Sequence, residues 1–187
     1  MDINEARVEI EKLVDAPKYD AMINTAAIIT KLLEKDNIHP IVVGGLSVEI
    51  YTQSDYTTRD IDFVSDGYMK IADLLFKLGF EKEDRHFYHE KVEIAIEIPD
   101  NYLAGDYNRD IKLAIDDDKY VYVISIEDII MDRLRASVHW RSSEDKIWGF
   151  KLLANNYERV DLTYMRQSVE TKLEEIELEN WISQIEE

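Results

Sequence analysis

Cysteine is absent from the chain, so neither a disulfide nor a thiolate metal site is open to it. No apolar run is long enough to span a bilayer, and the first residues carry no signal-peptide pattern. These absences lead to the expectation of a cytoplasmic protein with no membrane partner. Its four histidines, His39, His86, His89 and His139, are scattered without zinc-ligand spacing. Positive charge is scarce. Lys and Arg number 22 against 40 Asp and Glu, a net charge of -18. Such a chain repels nucleic acid and anionic membrane at long range, so binding to bulk DNA is not expected. What the chain does have is enough apolar residue, 45% of 187, for one domain or a core with a helical extension.

Periodicity lays out the elements. Residues 4–14 and 17–35 read as helices, with Ala21, Ile28, Leu32 and Leu33 on a buried stripe and Pro17 in a first turn. His39-Pro40 ends that pattern. A short strand follows at 41–43, a helix at 46–52, a polar loop at 53–57 and a strand at 60–64. An amphipathic helix at 68–78 ends at Gly79. Strands are expected at 85–89, 92–98, 111–115 and 120–124, with Asp116-Asp117-Asp118 as the turn between the last two. From Ser125 the pattern is helical, over 125–139, 143–155 and 161–185. Ser125 with Asp128 is a capping-box-like start with aspartate in place of glutamate. The acid-rich end, Glu170 to Glu187, reads as a solvated helix. The division expected is 1–124, N-terminal helices and a mixed core, and 125–187, a helical part packed on it, the whole also countable as one domain.

Chemistry concentrates in two places. Two of the six glycines are adjacent, in Val42-Val43-Gly44-Gly45-Leu46-Ser47, where a strand runs into a helix. Backbone without Cβ atoms can approach a phosphate and present its N–H groups, and Ser47 can add a hydroxyl. The second place is Thr58-Arg59-Asp60-Ile61-Asp62-Phe63. Alternation along a strand puts Asp60 and Asp62 on one face and Ile61 and Phe63 on the other. Two such acids beside bare amides suit a divalent cation that also holds a polyphosphate; the bland alternative is the solvent face of an edge strand. One short helix between the motifs returns the chain to an adjacent strand and sets both at one end of the sheet. A third carboxylate is expected from Val92 to Pro99. Glu97, at the strand's end before Pro99, is the choice and Glu93 the runner-up.

Gly44-Gly45-x-Ser47 with Asp60-x-Asp62 resembles the signature of the polymerase-β-type nucleotidyltransferase superfamily. Ile96-Glu97-Ile98-Pro99, Leu103-Ala104-Gly105-Asp106 and Val123-Ile124-Ser125-x-Glu127-Asp128-Ile129-Ile130-x-Asp132-Arg133-Leu134-x-Ala136 extend the likeness to small prokaryotic members. That group is related to the nucleotidyltransferase toxins of abortive-infection systems, and the likeness covers roughly residues 38–155. It implies an α/β (α+β) fold, a nucleotidyltransferase-like mixed sheet flanked by helices with a C-terminal helical part. It implies transfer of a nucleoside monophosphate from an NTP, ATP among the donors, to a hydroxyl, with Mg²⁺ or Mn²⁺ as cofactor. Carried over, Asp60, Asp62 and Glu97 would be catalytic and bind metal, and Gly44, Gly45 and Ser47 would cradle the β- and γ-phosphates. Arg133 and Asp145 resemble a basic residue and an acid that toxin-like relatives use on the nucleotide. Glutamate at 97 and arginine at 133 depart from the commoner aspartate and lysine. Arg133 could equally pair with Asp128 or Asp132 on its own helix.

The acceptor is left open among a protein, an RNA end and a small molecule. Two rival readings stand beside the enzyme: a non-catalytic nucleotide- or protein-binding module of the same fold, and a toxin or defence component. Arg135, His139, Trp140 and Arg141 form a local basic-aromatic cluster, either for an acceptor or simply for a helix C-terminus.

Overall fold

A computed structural model describes residues 1–53 and 55–187; of the polar loop expected at 53–57, Ser54 lies outside the described residues. The chain divides into two compact units, one of 1–103 with 107–124, the other of 104–106 with 125–187.

In the first unit α1 (Ile3–Glu11) starts at a capping box, Asp2 accepting the N–H groups of Asn4 and Glu5 while Glu5 reaches back to Asp2. Helix α2 (Lys18–Leu33) follows Pro17, which stands just outside it, and is buried along most of its length. The strands are β1 (Ile41–Val43), β2 (Asp60–Val64), β3 (Glu81–Glu83), β4 (His86–His89), β5 (Ile94–Asp100), β6 (Ile111–Ala114) and β7 (Tyr120–Val123). Between them lie α3 (Gly44–Tyr51) and α4 (Tyr68–Leu78). Among the described residues they form one mixed sheet in the order β3-β4-β5-β2-β1-β7-β6. The β1–β7 and β2–β5 pairs are parallel and the rest antiparallel. Ile61, Phe63, Phe87, Ile94, Ile96, Val121 and Val123 are fully buried, and α2 packs on β2 and β7. By alternation, the other face of β2, β5 and β4 carries the polar side chains.

Several expectations shift. Helix α3 begins at Gly44 rather than at Leu46, because Val43 is already its N-cap and the glycine pair forms its first turn. The strand expected from Val92 begins at Ile94, since Glu93 takes a left-handed conformation (φ 53) in the turn that joins β4 to β5. That strand runs on through Pro99 to Asp100. Asp62 pairs with Glu97 and Val64 with Asp100, so β5 takes three steps against two on β2. The missing N–H of proline is tolerated at such a bulge. Strand β3 was not expected: Glu-Lys-Glu carries no apolar alternation, and it is an exposed edge, where charge hinders edge-to-edge pairing. The Asp116 to Asp118 turn joins β6 to β7 as expected. Asp116 accepts the N–H groups of Asp118 and Lys119, and its ion pair with Lys119 holds its carboxyl down at about 2.

In the second unit, α5 (Ile126–His139) is capped by Ser125 and α6 (Ser143–Asn156) by Ser142. The single helix expected over 161–185 is two, α7 (Leu162–Gln167) and α8 (Lys172–Glu186). Asp161 caps the first. Thr171 caps the second through the N–H of Glu174, and the Glu174 carboxylate turns back onto the N–H of Glu170. Nor is the acidic end simply solvated. Glu174, Leu178, Trp181 and Ile182 are buried on one stripe of α8, which packs on α5 and α6, while Glu175 and Glu186 stay exposed.

Candidate active site

Register places the carboxylates. Asp62 on β2 is the direct partner of Glu97 on β5, and Val43, the last residue of β1, is its partner on the other side. Asp60, two residues earlier, is on the same face. The glycine pair and both aspartates therefore lie at one end of the sheet. Glu97 reaches this row from the middle of β5, not from a strand end, and Glu93 sits in the turn outside the strand.

Helix α3 and β2 press together where the glycines are. Gly44 has φ +58, and a Cβ there would lie 2.1 Å from Asp62 Oδ2. A Cβ on Gly45 would lie 2.5 Å from Thr58 Oγ1. Thr58 in turn donates its hydroxyl to Asp60 Oδ1 at 2.7 Å. Its backbone N–H donates to Glu49 Oε2 at 3.2 Å. Glu49, on α3, is only 3% exposed, and burial pushes its carboxyl up while the Thr58 N–H works against that. So one glycine gives way to Asp62 and the other to the threonine that holds Asp60. Sequence reasoning passed over Thr58 and Glu49. The signals were a hydroxyl two residues before Asp60, hence on its face, and one acid within the apolar Leu46-Ser47-Val48-Glu49-Ile50. Ser47 is fully buried and donates to the Gly44 carbonyl at 2.8 Å, bracing the turn from within.

Glu97 carries basic partners of its own. Arg85 Nε lies 3.3 Å from Oε1 and His86 Nε2 3.1 Å from Oε2, His86 being its neighbour on β4. Among the described residues no three His, Cys, Asp or Glu side chains are gathered as a cation cage. What is present is a row of carboxylate oxygens on one face, with the His86 imidazole against Glu97 and the Asp62 carboxylate in the space a Cβ on Gly44 would fill. That chemistry fits a hard divalent cation; Asp60 and Asp62 would hold it, and Glu97 would have to leave Arg85 and His86 to join them.

The remaining sequence candidates lie in the helical unit. Arg133 Nη1 donates to Asp145 Oδ1 at 2.6 Å and Nε lies 3.5 Å from Asp132; of the two partners foreseen on its own helix, Asp132 is the one met. The basic-aromatic cluster is largely occupied. His139 meets Glu174 at 2.6 Å, Arg135 reaches Ser168 O and Glu174, and Trp140 is exposed. Burial pushes the Glu174 carboxyl up, but the Glu170 N–H, His139, Arg135 and Thr171 outweigh it and hold the group low. The motifs around Gly105 and Asp128 form one knot centred on the buried Asp128. Asp128 takes the Ser125 hydroxyl at 2.8 Å, the Asp106 N–H at 3.1 Å and the Tyr164 hydroxyl at 2.6 Å. A Cβ on Gly105 would lie 2.5 Å from Asp128 Cγ. This knot accounts for the aspartate in the helix-start motif: the shorter acid is needed there for cross-links that a simple capping box does not make.

A mixed sheet with Gly-Gly at the end of one strand and Asp-x-Asp on the next is the arrangement of a nucleotidyltransferase-like fold. Residues 20–182 match the family described as nucleotidyltransferase of unknown function (DUF6036), and the chain belongs to that family. Its family is thus one of nucleotidyltransferases. Among solved structures it is similar to an antigenic nucleotidyltransferase-like protein from Paracoccidioides brasiliensis, with a TM-score of 0.58 and 14% identity over 91% of this chain and 88% of that one. Two structures of the antibiotic-resistance factor ANT(2'')-Ia also align. The solution structure gives a TM-score of 0.45 and 14% identity over 98% of this chain and 94% of that one. The adenylyl-2"-tobramycin complex gives 0.48 and 15% over 83% and 94%. At those scores they bear on neither acceptor nor mechanism. No curated protein matches the sequence. Among the described residues no helix is long and apolar enough to cross a membrane.

Proposed function

We propose that the chain transfers a nucleoside monophosphate from an NTP to a hydroxyl of a compact acceptor, with Asp60 and Asp62 holding Mg²⁺ or Mn²⁺ and Glu97 as the third carboxylate. The observation that carries this is the shared row: Asp62 opposite Glu97, Asp60 on the same face, and the glycine pair pressed against Asp62 and Thr58. A divalent cation bound there would neutralise the triphosphate and make the acceptor hydroxyl easier to deprotonate. The chain's own residues do the rest. Thr58 fixes Asp60 through its hydroxyl, and Glu49 fixes Thr58 through the backbone. The Gly44 and Gly45 N–H groups, at the start of α3, would receive phosphate oxygens, a helix N-terminus favouring negative charge. Ser47 supports them by holding the Gly44 carbonyl.

The pairing of Glu97 with Arg85 and His86 favours one rival, a module that binds nucleotide without turnover. Calorimetry of Mg²⁺–NTP binding to the wild type and Asp62→Asn tests the common part: the heat should vanish in the variant, and unchanged heats would refute the site. Release of pyrophosphate by the wild type then separates enzyme from module. The acceptor is not a long nucleic acid. Of the local basic residues expected to meet one, Arg133, Arg135 and His139 already hold Asp145 and Glu174, and the net charge opposes approach.

A further inference from the structure

One cavity of the first unit lies beside the carboxylate row: Thr58 and Arg59, which precede Asp60, and Ala95, its register partner, line it, though Asp60 itself does not. The cavity has a volume of about 630 Å³ and is lined by Lys18, Thr58, Arg59, Tyr88, Glu93 and Ala95 among others. Register explains its floor. Asp60 is the partner of Ala95 on β5, and Ala95 is the partner of Tyr88 on β4, so the three share one row on one face. The small side chain of Ala95 leaves room beside the Tyr88 ring, one strand over from Asp60. The volume suits a small molecule rather than a polymer.

Its charge runs against the rest of the chain. In a protein of 40 acids and 22 bases, this cavity is lined by two cations, Lys18 and Arg59, against one acid, Glu93. Lys18 donates to the main-chain carbonyl of Glu93. Burial pulls its ammonium below the usual lysine value; the Glu93 charge opposes that, and Arg59 adds repulsion. Arg59 is exposed and has no hydrogen-bond or ion-pair partner among the described residues. An anion between the two would relieve their repulsion and give Arg59 the planar, two-pronged contact that guanidinium makes with phosphate or carboxylate.

Position decides which substrate the cavity serves. Across the sheet the order is β4-β5-β2-β1. The glycine pair follows β1, on one side of Asp60, and Ala95 and Tyr88 lie on the other. In an in-line displacement the attacking and leaving oxygens stand on opposite sides of the phosphorus. With the donor's β- and γ-phosphates over the glycines, the attacking hydroxyl comes from the side of β5 and β4.

We propose that this cavity is the acceptor subsite, and that Lys18 and Arg59 hold an anionic group, phosphate or carboxylate, of a small hydroxyl compound lying against Tyr88. The proposal rests on the nucleotidyltransferase reading of the same face. The acceptor oxygen bonds to the α-phosphorus, the bond from that phosphorus to the bridging oxygen breaks, and pyrophosphate leaves. The hydroxyl proton passes to a carboxylate of the row or to water. A polycationic acceptor would meet two like charges at the entrance.

Inorganic phosphate is the probe, followed through the Nε–Hε resonances of isotope-labelled arginine in the full chain. A saturable shift at Arg59 is expected, unchanged in Asp62→Asn and also seen with a Mg²⁺-loaded, non-hydrolysable NTP analogue already bound. Lys18→Met should weaken it about tenfold, the size of one lost charge-assisted contact. Arg59→Gln, at an exposed position that leaves the fold alone, should weaken phosphate affinity to a similar degree by calorimetry. No shift at Arg59 would overturn the subsite. An analogue that itself causes the shift and displaces phosphate would give the cavity to the donor and overturn the acceptor role. A phosphate shift without any Mg²⁺–NTP binding would sink the transferase reading, and the acceptor role with it. NTP binding without the phosphate shift would sink the subsite alone.

Discussion

Gly44→Ala strikes where backbone geometry and the candidate metal site coincide. With φ at +58, alanine would sit in a left-handed conformation that costs about 1–2 kcal/mol. In a chain of this size each kcal/mol lowers Tm by about 2–4 °C, so a fall of about 2–8 °C follows from strain alone. The new methyl would stand 2.1 Å from Asp62 Oδ2 and 2.9 Å from its Cγ. To restore contact distance the carboxylate must move by about 1 Å, and misplacement on that scale costs on the order of 100-fold in rate. Function should therefore fall much further than stability. Thermal melts and Mg²⁺–NTP calorimetry on Gly44→Ala, Asp62→Ala and the double variant measure both parts. Removing the Asp62 carboxylate makes room for the methyl, so the double variant should be more stable than the sum of the single losses, leaving mainly the backbone strain. A Gly44→Ala protein that melts and binds nucleotide like the wild type, with strictly additive stabilities, would refute the reasoning.

Thr58→Val keeps the shape but takes away the hydroxyl held by Asp60, and should lower Mg²⁺–NTP affinity by about tenfold with a stability loss of about 1 kcal/mol; equal affinity by calorimetry would count against Thr58 as a positioning residue. Glu49, whose folded pKa is raised above the usual 4.5 by burial, binds more protons in the native state than in the unfolded one between those two values. The stability it lends is present below the ordinary value and lost as pH rises through the folded one, so Glu49→Gln should gain on the wild type as pH climbs from about 4 to 7 in denaturant titrations. Glu174 runs the other way. Its folded pKa is lowered, so its contribution is present above the ordinary carboxylate value and lost as pH falls through the folded one. Glu174→Gln should therefore be less stable than the wild type near neutrality and converge with it in acid; parallel pH profiles would contradict either assignment.

What the sequence revealed was whatever depends on local pattern. Alternation in Asp60-Ile61-Asp62-Phe63 and in Ile94-Ala95-Ile96-Glu97 assigned faces correctly, and the aspartate-rich turn after β6 read as a turn. Hidden were the features set by contact between distant segments. Nothing local announces that Gly44 is shaped by Asp62, or Gly45 by Thr58. Glu97 was favoured for lying at a strand end, yet it meets Asp62 from mid-strand through the parallel register, and β5 continues across Pro99 because a bulge absorbs it. Edge strand β3 escaped notice because charge, not alternation, defines an edge. The break between α7 and α8 was legible in Thr171-Lys172-Leu173-Glu174, a start signal masked by the surrounding run of helix formers. The acidic end concealed its buried stripe because Leu178, Trp181 and Ile182 are few among glutamates.

The central claim is that the Asp60 and Asp62 face moves a nucleoside monophosphate from an NTP. Incubating the protein with each α-³²P-labelled NTP and Mg²⁺, together with host protein, RNA and small-metabolite fractions, asks this directly. The account predicts label transferred to a small anionic acceptor with release of pyrophosphate, and no transfer by Asp62→Asn or without divalent cation. Transfer that survives in Asp62→Asn would contradict it, as would a wild type that binds Mg²⁺–NTP but releases no pyrophosphate with any fraction.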